Sequence, residues 1–110
     1  RLFYEVGYVL SILHLPQYLP TSGEIEVCMA GAISLLLKHL LLSAPNSSRT
    51  AQAHYDNYSF VISQLSHSSS RCQGEIRQLL GESSLHCLLQ SDQETKTQHL
   101  IQVCFQLKNN

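Results

Sequence analysis

The 110-residue sequence is short of charge: seven lysines and arginines stand against eight acids, 14% of the chain in all. The basic surplus that counterion release on DNA or RNA requires is missing, so nucleic acid is set aside as a direct partner. Helix breakers are few as well. Five glycines and three prolines stand among 19 leucines, 15 serines and 10 glutamines, a balance that favours helices over strands. A membrane-spanning run is also lacking. The longest apolar stretch, residues 25–42, covers 18 positions where ~20 are needed, and it contains Glu26, Lys38 and His39, so it reads as a buried soluble helix.

Metal-ligand spacing is absent too. Six histidines and four cysteines supply the atoms zinc prefers, yet there is no Cys-x-x-Cys and no His-Glu-x-x-His. The best conceivable cluster, Cys72, His86, Cys87 and His99, has no spacing to support it, so neither a metal nor another cofactor is expected. A nucleophilic cysteine needs an adjacent base, and Cys87 beside His86 on a helix is neighbourhood in sequence, not contact. Asp56 and Glu75 read as isolated, solvated acids. The chain is therefore expected not to be an enzyme.

The four cysteines (Cys28, Cys72, Cys87 and Cys104) need not pair, because a leucine-rich chain of this length can bury a core without staples. Cys28 and Cys104 lie inside apolar helical patterns, where a thiol serves as a small hydrophobe. Reduced thiols and an intracellular setting, cytoplasm or nucleus, are the expectation. Two sequons, at Asn46 and Asn57, point the other way, but only Asn46 falls in an expected loop. The sequence opens on Arg1 and enters an apolar run at once, which reads as a single helical domain cut from a longer protein.

Periodicity then places the helices. Residues 2–14 carry Phe3, Val6, Leu10 and Leu13 at helical spacing, and Pro16 and Pro20 bracket the loop that follows. A second helix over residues 21–43 is capped by Thr21 and Glu24 and is apolar nearly all round, which puts it innermost. The small run Ala30, Gly31, Ala32 is expected to admit a crossing helix. A third helix, residues 51–67, shows Tyr55, Tyr58, Ile62 and Leu65 on one stripe with Val61 beside it. Residues 66–70 read as an exposed serine-rich joint. Two short apolar pieces follow, around Ile76, Leu79 and Leu80 and around Leu85, Leu88 and Leu89. A last helix opens on a capping box of Ser91 and Glu94, carries Leu100, Ile101, Cys104 and Leu107, and ends near Lys108.

The stretch from residue 76 to 109, with Leu88, Leu89, Ser91, Asp92, Glu94, Leu100 and Val103 in that order, resembles an armadillo or HEAT repeat. Such repeats end a short helix in a leucine pair, turn through Ser and Asp, and pack the next helix back. His99 stands where they usually keep alanine, and Lys96 where a valine is common. The resemblance implies a right-handed α-α superhelix segment. The fold expected is thus all-α, five or six helices in an irregular bundle.

Gln98, Gln102 and Gln106 recur every four residues and form an uncharged amide row on one face of the last helix, with Lys96 and Lys108 near its ends. In armadillo proteins closing helices line a groove in which side-chain amides hold a partner's backbone, and this row is similar in kind. With Tyr18 of the proline loop it forms the expected binding set. A non-catalytic scaffold that binds another protein's peptide or helix is the first expectation. Self-association as a homo-oligomer is the alternative, and would explain the wide apolar perimeter of the second helix.

Overall fold

The structure is a computed structural model, and it describes residues 31–43 and 48–109. These residues form five α-helices and no strand: α1 (Ala32–Ser43), α2 (Ser48–Ser68), α3 (Ser70–Leu80), α4 (Glu82–Leu88) and α5 (Gln93–Lys108). The chain is all-α, an irregular helical bundle. The helix expected over residues 2–14, the Thr21 cap, Tyr18, Cys28 and Asn46 lie outside the described residues.

Helix α1 starts only after Gly31. This glycine has φ 83°, a left-handed conformation that L side chains rarely adopt, while its carbonyl accepts the first helical bond from Leu35 N at 3.1 Å. An unbroken helix over residues 21–43 is therefore corrected: the chain turns at Gly31. Among the described residues nothing lies within 4 Å of where a Gly31 Cβ would stand, and Ala30 lies outside them. The glycine is required for its dihedral angle. Ile33, Leu36, Leu37 and Leu40 of α1 are buried, whereas Leu42 is 80% exposed.

The innermost place among the described residues belongs to α2, which packs on all four other helices. Its expected stripe is in the core, with Tyr55, Tyr58, Val61, Ile62 and Leu65 all buried. Ser59, Ser63 and Ser66 are fully buried too, along a second face of the same helix. Helix α5 lies along α2 in the most extensive helix pairing of the fold. Short serine side chains let the two backbones approach, and each hydroxyl finds a partner. Ser59 Oγ donates to Asp56 O at 3.0 Å and lies 3.1 Å from Thr97 Oγ1, and Ser66 Oγ donates to Ile62 O at 2.7 Å. From α5, the Gln93 amide donates to Ser59 Oγ at 2.7 Å and to Asp56 O at 3.2 Å.

The serine-rich joint expected to be exposed is instead helical and half inside. Helix α2 runs to Ser68, and buried Ser69 caps α3 by accepting from Cys72 N at 3.2 Å. Gly81, at φ 98°, separates the two short helices: its N–H closes α3 on Ile76 O and Arg77 O, and its carbonyl accepts from Leu85 N. The exposed Arg77–Glu82 ion pair, at 2.7 Å, straddles that break. Helix α5 is capped by Asp92, which accepts from Thr95 N at 3.3 Å, and not by the Ser91 and Glu94 box. Its buried arc is Lys96, Thr97, Leu100, Val103 and Cys104, while Leu107, expected on the core stripe, is 41% exposed.

Candidate functional site

The arc that α5 turns to α2 fixes what it leaves outside. Counting from Leu100 in 100° steps, Gln98, Gln102 and Gln106 fall on the far side of the helix, and all three are exposed. None of the three amides makes a hydrogen bond with the described residues, so each keeps two donors and an acceptor for a partner. Lys96 does not belong to this face. It is 6% exposed, turned inward against α2, and its ammonium donates to Ser63 Oγ at 3.3 Å. Lys108 remains exposed at the far end.

The amide row borders a chain of open surface depressions. One of about 700 Å³ is lined by Cys87, Gln98, Ile101, Gln102 and Phe105, among others. A second of about 330 Å³ is lined by Leu79, Ser83, Gln102, Val103, Gln106 and Leu107, among others. His99 and Gln102 border both. Large apolar side chains stand exposed beside the row: Phe105 at 69%, Leu79 at 45% and Leu107 at 41%. Exposed apolar side chains thus stand next to amides that have no hydrogen bond to the described residues. Sequence reading found the row through its four-residue repeat. It placed Leu79 and Leu107 in apolar patterns and so read them as core, and it assigned Phe105 no role.

His99 ties α5 to α4, with Nε2 2.9 Å from Ser84 Oγ. Burial pushes its pKa below the ordinary 6.5. The unfolded chain therefore binds the proton first as pH falls, and the contribution of neutral His99 is present above about 6.5 and declines as pH drops through that value toward the lower folded pKa. Urea midpoints of the natural chain and of His99→Gln should converge between pH 7.5 and pH 5. Parallel curves would show that His99 does not titrate across the folding reaction.

Cys104 is buried, and desolvation pushes its thiol up to about 11, far from the thiolate a nucleophile needs. Cys72 is buried in the core, His86 is exposed, and of that proposed zinc quartet only Cys87 and His99 share a depression. Among the described residues no group of three or more His, Cys, Asp or Glu is placed to hold a metal ion. No described helix is long and apolar enough to cross a membrane. Glu75 departs from its expected solvated state: its carboxylate accepts from Ile33 N at 2.9 Å and from Ser34 N at 3.3 Å, capping α1. No family model matches the chain, and neither a curated protein nor a solved structure does.

Proposed function

We propose that this chain is a non-catalytic protein-interaction segment of a larger helical-repeat protein, and that it holds a partner peptide along the outer face of α5. The supporting observation is the exposed row of Gln98, Gln102 and Gln106, without hydrogen bonds to the described residues and flanked by Phe105 on one side and Leu79 and Leu107 on the other. Backbone amides of an extended partner present the donors and acceptors that glutamine complements, and the flanking apolar groups bury the partner's side chains. Charge contributes little along the amide row itself, because the amides are neutral.

The test uses peptides selected by the folded chain from a displayed random library. Each neutral hydrogen bond contributes a net ~0.5–1.5 kcal/mol, so Gln98→Ala combined with Gln102→Ala should weaken a selected peptide about tenfold. The melting temperature should stay unchanged, since both side chains are exposed. Full-strength binding by the double variant rules this face out. Leu42, 80% exposed on α1, favours the second reading, self-association. Sedimentation over a range of concentrations separates the two, since an oligomer formed without partner belongs to the second.

A further inference from the structure

The glutamine row is part of a longer stripe. Glu94 precedes Gln98 by four residues, so Glu94, Gln98, Gln102 and Gln106 stand one above another along the whole of α5. A third depression, about 820 Å³, opens at the α5 N-terminal end between α2 and α5, with Asp56 and Phe60 on one wall and Gln93, Glu94 and Gln98 on the other. Glu94 and Gln98 also border the next depression, and Gln102 the last, so the three join into one trough. Its character changes from end to end. Asp56 and Glu94 line the first part, Asp92 and Glu94 together with the amides, Ile101 and Phe105 the middle, and Leu79, Val103 and Leu107 the last.

No lysine or arginine is among the residues lining any of the three depressions. Neither Asp56 nor Glu94 is in an ion pair with a described residue; among those residues the Asp56 carboxylate accepts a long 3.4 Å bond from Gln52. Two like charges sharing one trough repel each other, and a cation placed between them removes that repulsion while gaining both attractions. Glu94 and Phe105 border the same depression and lie on one side of α5, and the helix rises about 16 Å between them, the length of roughly five residues of extended chain.

Resting on the function proposed above, we propose that the trough takes an extended peptide with polarity: a lysine or arginine seated between Asp56 and Glu94, and a large aliphatic or aromatic residue five or six positions away against Ile101 and Phe105.

Peptides selected from a random dodecamer library at low ionic strength test this. Lys or Arg should be enriched at five or six positions from Leu, Ile or Phe. A synthetic peptide of that kind should bind the Asp56→Asn, Glu94→Gln variant about tenfold more weakly and with a flattened salt dependence, because screening acts only on the charged end. Phe105→Ser should weaken binding by a factor that salt leaves unchanged. Glu94→Gln alone, at an exposed position, gives the same direction of change if the double variant loses stability. Peptides that depend on Gln98 and Gln102 but carry no basic residue, and bind the Asp56→Asn, Glu94→Gln variant normally, overturn this proposal and leave the amide-groove function standing. Selected peptides indifferent to Gln98→Ala and Gln102→Ala but sensitive to Asp56→Asn and Glu94→Gln overturn the amide function instead. A dimer of the chain alone that Phe105→Ser dissolves puts a second copy in the trough and overturns the peptide occupant.

Discussion

Leu65→Ala should lower the unfolding free energy by about 2–5 kcal/mol, a large share of the ~5–15 kcal/mol that holds a domain together. Leu65 is fully buried in α2, the helix that packs on all four others, so the lost methyl groups leave a void whose walls belong to several helices. Those walls cannot collapse together without moving helices that are fixed elsewhere, which places the cost well above simple transfer of the side chain. A urea titration would show the midpoint falling with the slope unchanged. Leu42→Ala is the matched control: the same chemical change at a side chain 80% exposed should stay within about 0.5 kcal/mol. Equal losses at the two sites would contradict the placement of α2 at the centre of the core.

Leu65 also shows how much of this fold was legible beforehand. Tyr55, Tyr58, Val61, Ile62 and Leu65 repeat at helical spacing and all are buried, as are Leu85, Leu88 and Leu100. Periodicity fails where polarity and burial part company. Ser59, Ser63, Ser66, Ser69 and Ser84 are buried, yet a pattern scored on hydrophobicity sends each of them to solvent. Several hydroxyls are satisfied by a carbonyl three or four residues earlier in the chain, as with Ser66 Oγ and Ile62 O at 2.7 Å within α2 and Ser84 Oγ and Leu80 O at 3.2 Å across the Gly81 break. Such a bond removes the cost of burial and leaves no trace in periodicity. That is why the serine-rich stretch after residue 65 read as a joint and why α2 did not read as central.

Lys96 is the same case on α5. Positions 96, 97, 100, 103 and 104 trace one helical face, so the register itself places Lys96 inward, but charge argues the opposite. Once the inward arc is fixed, the outward glutamines follow from the same register, and the row was legible for that reason. The acidic end of the trough was not, because Asp56 and Glu94 are brought together by the pairing of α2 with α5 across 38 positions of sequence.

Glu75→Ala should cost about 1–2 kcal/mol, and the loss should be centred on α1, a helix 42 residues away in sequence. The first N–H groups of α1 have no partners within their own helix, and Gly31 ahead of them has no side chain to supply one. Glu75 supplies it from α3: one oxygen accepts from Ile33 N at 2.9 Å and the other from Ser34 N at 3.3 Å. Its negative charge sits at the positive end of the α1 dipole, so the attraction adds to the hydrogen bonds. Glu75→Gln keeps an acceptor but not the charge and should fall between the natural residue and alanine. Amide exchange of Ile33 and Ser34 should speed up in both variants before exchange in the α2 core changes, which separates a lost cap from a general loss of stability. The same carboxylate pins α1 to α3, so a chain without it should also expose the α1 face that carries Ile33 and Leu36. If Glu75→Ala melts with the natural chain and leaves Ile33 protected, the N-terminal amides of α1 are satisfied by another group, and the link between α1 and α3 is apolar packing alone.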